Sequence, residues 1–156
     1  MQVTEVMSNP GLCAPTTSVR KAASIMRQFD TGILLIVEDV SSRKLVGILT
    51  DRDLVLRVLT DRDPEKTTVQ ECMTHRDLLC CKPEDDIAQV MEAMATRHVR
   101  RVPVVSQGKR VVGILTDRDL LQNPEIDSTE LCVALRRVTA SKIRMPNALD
   151  SMTSFP

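Results

Sequence analysis

Thr50 and Asp53 stand three residues apart in Gly47-Ile48-Leu49-Thr50-Asp51-Arg52-Asp53-Leu54, and the same eight letters return 66 residues on, from Gly113 to Leu120, with Thr116 and Asp119. A strand that ends in Thr-x-x-Asp and opens a helix offers a hydroxyl and unpaired backbone amides to an anion. The carboxylate, about one turn on, faces the same side and can accept hydrogen bonds from two ribose hydroxyls. That chemistry suits a nucleoside phosphate. The same residue types also make a simple capping box at the helix start. A cap alone does not demand Asp-Arg in the middle of both copies, although a recent duplication would also leave it there.

Other chemistry is thinly represented. Arg97, His98, Arg100 and Arg101 form the densest basic cluster, which reads equally well as a solvated face. His98 has no second histidine or carboxylate at ligand spacing, so no metal site is expected. Cys13, Cys72, Cys80, Cys81 and Cys132 contain no CxxC pair. They read as buried reduced thiols, with a redox role for the adjacent Cys80 and Cys81 as the alternative. No Ser-His-Asp grouping, P-loop lysine or paired carboxylates on a glycine-rich loop is present, so an enzyme is not expected. Twenty-one basic residues balance twenty-one acidic ones, which argues against nucleic acid or an anionic membrane as a partner. Phe29 and Phe155 are the only aromatics, too few for a base-stacking platform. No apolar run is long enough to span a bilayer and no signal-peptide pattern opens the chain, so the expected compartment is cytoplasmic.

The elements that would position these residues follow from the repeat. Val3, Glu5 and Met7 answer to Val69, Glu71 and Met73 at the 66-residue offset; between the anchors the offset is 68, pairing Met26 with Met94, until a shorter turn at 106–109 restores it. Each repeat reads as an opening segment, an amphipathic helix, a strand, a tight turn, a second strand and a helix. Val19, Ala22, Ala23, Met26 and Phe29 mark the first helix; Ile87, Val90, Met91 and Met94 mark its counterpart. Strands are expected at 34–37 and 102–105, nearly continuous in apolar character as in a sheet buried on both faces, with partners at 45–49 and 111–115. A unit of about 65 residues buries too little surface alone, so the two should pack together. The third copy of Thr-Asp-Arg-Asp, at 60–63, follows no glycine-led strand and is stopped by Pro64, so it reads as a linker. A further helix is expected at 127–138, followed by an irregular tail past Arg144.

The doubled Gly-Ile-Leu-Thr-Asp-Arg-Asp-Leu, with Val-Pro-Val-Val at 102–105 ahead of its second copy, resembles the CBS-domain family (cystathionine-beta-synthase type) over residues 1 to about 122. The resemblance implies an α/β fold of two pseudo-twofold-related repeats, each a short mixed sheet with helices, packed sheet to sheet. It divides the chain into repeat 1 at 1–62, repeat 2 at 63–122 and a C-terminal helix and tail at 123–156. It implies a regulatory module that binds AMP, ADP or ATP, with NAD or S-adenosylmethionine possible ligands, that needs no cofactor, forms a homodimer and acts on a protein partner in trans. Carried over residue by residue, Asp119 takes the ribose and Thr116 the phosphate in one cleft, with Arg118 beside them in the motif, Arg100 and Arg101 near the phosphate, and Thr17, Ala22, Gly32 and Ile33 lent by the first repeat. Adenine would lie among Ile33, Ile114 and Val102, held by burial. The mirror cleft would use Thr50 and Asp53 with Asp85, Val90, Arg100 and Arg101; with Gly32 and Ile33 at the arginine positions and Asp85 facing any phosphate, it is expected to bind weakly or stay empty.

Overall fold

The computed structural model describes residues 1–140; the expected irregular tail past Arg144 lies outside them. A short strand β1 (Leu12–Cys13) leads to helix α1 (Val19–Gln28), strands β2 (Ile33–Val37) and β3 (Leu45–Thr50), and helix α2 (Asp51–Leu54). The second repeat supplies α3 (Ile87–Arg97), β4 (Arg101–Ser106), β5 (Arg110–Thr116) and α4 (Asp117–Gln122), and α5 (Ser128–Ala140) follows. Asp127 caps α5 by accepting the Thr129 and Glu130 amides.

The first sheet is mixed, β1 running parallel and β3 antiparallel to β2. The second is the antiparallel pair β4–β5, with its third strand reduced to one parallel bridge, Cys81 to Val104. Pro103 accounts for the reduction. It stands where Leu35 stands in β2, and the Leu35 amide donates to the Gly11 carbonyl at 2.9 Å; proline has no amide to give. Both antiparallel ladders shift register at equivalent points, Ile36/Val37 and Val104/Val105.

Every residue of β2 is buried, as its unbroken apolar run requires. Ile33, Leu35, Val37 and Leu45 meet Val111 and Ile114 of the other sheet in a shared core, so the repeats pack sheet to sheet about a pseudo-twofold axis. Lys44 and Arg110, equivalent in the two repeats, bridge each other across it. Val19, Ala22 and Met26 are the buried stripe of α1; Ala23 and Phe29, expected on that stripe, are exposed, and Ile25 packs there instead.

The opening segments are exchanged. Val3, in a 3-10 turn (Val3–Glu5), lies in the core of the second repeat, and Val69, in the matching turn (Val69–Glu71), lies in the core of the first. The Val3 and Thr4 amides reach the Asp85 and Pro83 carbonyls; those of Val69 and Gln70 reach Thr17 and Pro15. Ser8 then pairs with Ile114 and Thr74 with Ile48 in reciprocal backbone bonds. Two methionines lie over the motif glycines: a Cβ on Gly47 would come within 2.7 Å of Met73 Sδ, and one on Gly113 within 2.6 Å of Met7 Sδ.

After α2 the chain makes a π-helical turn (Val55–Leu59), and the third Thr-Asp-Arg-Asp follows it as an exposed turn with no strand before it. Among the described residues no helix is long and apolar enough to cross a membrane.

Candidate functional site

Each motif makes the same strand-to-helix junction. Thr116 Oγ1 accepts the Asp119 amide at 3.2 Å, while Asp119 Oδ2 accepts from the Thr116 amide and hydroxyl at 2.8 and 2.6 Å. Thr50 and Asp53 repeat this at 3.2, 2.9 and 2.7 Å. The capping box is therefore real in both copies, and the hydroxyl proton of each threonine is already donated to its aspartate. The second carboxylate oxygen separates them. Asp53 Oδ1 faces Arg57 at 3.3 Å, whereas Asp119 Oδ1 has no partner among the described residues.

Two clefts open beside these junctions, between the repeats. The first, of about 310 Å³, has Thr116, Arg118, Asp119 and Ile114 on one wall and Phe29, Asp30, Thr31 and Ile33 on the other, with residues 8–11 along its edge. The second, of about 240 Å³, has Ile48, Thr50, Asp51 and Arg52 facing His98, Val99, Arg100 and Arg101. Ile33 lies in both.

The structure brings Thr116, Arg118, Asp119 and Ile33 together around one cleft. Arg100 and Arg101 line the Thr50 cleft rather than the Thr116 cleft, although Arg101 is the ladder partner of Thr116 and the Arg100 carbonyl accepts the Asp117 amide at 2.9 Å. At the repeat offset Ile33, the counterpart of Arg101, lines the Thr116 cleft, whereas Gly32, the counterpart of Arg100, lines neither. Gly32 sits at the seam: its carbonyl accepts the Asp51 amide, and a side chain there would strike the Asp51 carboxylate at 2.6 Å.

Thr17 and Ala22 reach neither cleft. The Thr17 carbonyl receives Val69, and Ala22 is fully buried in the first core. Their counterparts Asp85 and Val90 are placed likewise, Asp85 binding the Val3 amide through its carbonyl and the Lys82 amide through its carboxylate, so Asp85 brings no charge toward the Thr50 cleft. Val102 is buried in the second core, away from both.

Sequence reasoning missed Asp30, Phe29 and residues 8–11. Asp30 and His98 are equivalent, each in the left-handed region just past its helix (φ 47° and 54°) and each lining a cleft, His98 with its Nδ1 3.2 Å from the Arg137 carbonyl. The repeat offset could have paired them; nothing local could have placed 8–11, which arrive through the exchange. Phe29, 59% exposed, gives the Thr116 cleft an aromatic rim where only aliphatic burial was expected.

Four of the five thiols are shielded by burial. Burial pushes Cys13 up to about 11 and Cys81 up to about 12, and raises Cys72 and Cys80 as well. Only Cys132 is exposed among the five. Among the described residues no three His, Cys, Asp or Glu side chains cluster as a metal site would require.

The family model described as CBS domain matches this chain twice, over residues 3–60 and 69–125. The CBS domain-containing protein YhcV of Bacillus subtilis (strain 168) is 34% identical over 110 residues, covering 70% of this chain and 75% of that protein. The CBS domain pair of protein MJ0100, solved in complex with 5′-methylthioadenosine and S-adenosyl-L-methionine, is 31% identical with a TM-score of 0.67, over 78% of this chain and 94% of that one. The CBS domain protein PAE2072 of Pyrobaculum aerophilum, complexed with AMP, shares the fold at 20% identity, with a TM-score of 0.73 over 85% and 99% of the two chains.

Proposed function

The chain belongs to the CBS-domain family, and from that membership we propose that it is a regulatory module that senses an adenine nucleotide or related adenosyl ligand in the clefts between its two repeats. The observation that carries the reading is Asp119. One of its oxygens is fixed by the cap, which sets the carboxylate's direction, and the other is unpartnered on the 310 Å³ cleft, available to ribose hydroxyls. The 5′-methylthioadenosine and S-adenosyl-L-methionine of the MJ0100 pair support an adenosyl ligand class; within it the proposal takes AMP, ADP and ATP first and NAD or S-adenosylmethionine after them.

A ligand that touches both repeats favours whichever arrangement of the two it bridges best, and that bias is the signal. We propose that a homodimer presents it to a protein partner in trans. Chemistry on the ligand is no part of this reading. A role as a ligand-free, redox-responsive interaction protein would need a thiolate at Cys80 or Cys81, and burial disfavours both.

The test begins with protein purified without added ligand. With no Trp or Tyr, the chain itself absorbs little in the near ultraviolet, so a co-purified adenine dominates the spectrum and can be identified after acid extraction. An adenine nucleotide or adenosyl compound released in stoichiometric amount, together with loss of affinity for at least one adenosyl ligand in Asp119→Ala at unchanged fold, supports the proposal. An empty spectrum with no thermal stabilisation by millimolar AMP, ATP, NAD or S-adenosylmethionine sinks it.

A further inference from the structure

The two clefts share one frame and carry opposite charge. At the 68-residue offset, Asp30 answers to His98, Gly32 to Arg100 and Ile33 to Arg101. In the Thr50 cleft this wall presents His98, Arg100 and Arg101, and Arg52 adds a third guanidinium against a single carboxylate, Asp51. Asp53 is turned to Arg57, and Arg100 lies 3.8 Å from Asp117. Among the described residues the sole cation of the Thr116 cleft, Arg118, is 3.6 Å from Asp30, and Asp119 adds a second carboxylate. An anionic group there would meet two carboxylates and a guanidinium already paired; in the Thr50 cleft it would meet guanidinium forks able to grip phosphate by two hydrogen bonds each.

The ribose anchors lean the same way. The free oxygen of Asp119 and the exposed ring of Phe29 suit a nucleoside held by its sugar and base. In the Thr50 cleft Arg57 competes for the corresponding oxygen, so a ligand there must be held by its phosphate.

We infer that the clefts sort adenosine ligands by charge: the Thr116 cleft takes an adenosine with an uncharged or cationic 5′ group, and the Thr50 cleft takes a phosphorylated nucleotide. This rests on the adenosyl-sensing reading and adds to it which cleft takes which class. The module then reports on two ligands at once, the ratio of a phosphorylated to an unphosphorylated adenosine being legible in which cleft is filled.

The full chain is titrated calorimetrically with AMP, with 5′-methylthioadenosine, and with one in the presence of the other, while isotope-labelled isoleucine methyls report position. Ile48 lines only the Thr50 cleft of the two and Ile114 only the Thr116 cleft. Both ligands are expected to bind together, AMP shifting Ile48 and 5′-methylthioadenosine shifting Ile114. Added salt should weaken AMP and leave 5′-methylthioadenosine nearly untouched, a test that needs no mutation. Arg101→Gln should cost AMP about tenfold more affinity than it costs 5′-methylthioadenosine, the scale of one lost charge-assisted hydrogen bond. Competition between the two ligands, or AMP shifting Ile114 alone, overturns the charge sorting while leaving the sensing reading in place. Failure of both to bind at millimolar concentration overturns the sorting, and failure of ATP, NAD and S-adenosylmethionine as well overturns the sensing reading with it.

Discussion

Thr116 and Asp119 do two jobs with three hydrogen bonds, and the cap is the one that stability measurements read. Removing the hydroxyl in Thr116→Ala leaves the Asp119 amide without its acceptor and should cost about 1 kcal/mol in urea denaturation, as should Thr50→Ala. The buried thiols are the other residue-scale feature with a measurable consequence. Cys13 and Cys81 are equivalent in the two repeats, and burial raises each above the ordinary value of 9.0, to about 11 and about 12. The folded state holds these protons more tightly, so their contribution is complete below pH 9.0 and is lost as pH climbs toward the folded values. Chemical denaturation across this window should show stability falling with pH, and the double variant Cys13→Val, Cys81→Val should flatten the fall. An unchanged slope would remove the thiols as its source.

The glycines of the repeated motif belong to the element scale, because what they accommodate comes from another element. The three atoms nearest a Cβ on Gly113 all belong to the Met7 side chain, its sulfur at 2.6 Å, and an unbranched side chain can swing aside. One on Gly47 would also stand 3.0 Å from the Thr74 carbonyl, which the Ile48 amide holds at 2.8 Å. Gly47→Ala should therefore lose about 1–3 kcal/mol and Gly113→Ala clearly less, compared by urea denaturation. Helix α5 shows the same dependence in reverse. Its helical span was expected from the sequence, yet only packing reveals that Leu131 is 3% exposed in the second core and that Arg137 makes a two-bond ion pair with Glu92 on α3. Leu131→Ala should cost about 2–5 kcal/mol, the range for emptying a buried leucine site.

At the scale of the molecule, each core is closed by a segment from the other repeat. Val3 and Val69 are both fully buried, each against the opposite repeat's helix and sheet. Val3→Ala should accordingly speed backbone amide exchange in α3, and Val69→Ala in α1, each by loosening a core in the other half of the chain. Faster exchange confined to the mutated residue's own repeat would contradict the exchange of segments. On the proposed reading, a ligand in the Thr116 cleft would be felt by both repeats, since residues 8–11, on the edge of that cleft, continue directly from the exchanged turn.

Much of this was legible in the letters. Identical octapeptides, the matched Val, Glu and Met of the opening segments, and apolar runs with the period of strand or helix are local signals, and local hydrogen bonding and burial follow from them; so did the Thr-x-x-Asp junctions and the tandem α/β fold. What the letters left open was pairing. A repeat says that two places are alike without saying which of two equivalent partners each one meets, and the same hydrophobic pattern is satisfied by closing a core from its own repeat or from the other. Chain geometry at the pseudo-twofold interface settled that choice, sending Met7 to Gly113, Met73 to Gly47, and Arg100 and Arg101 to the Thr50 side, and with it the charge of each cleft.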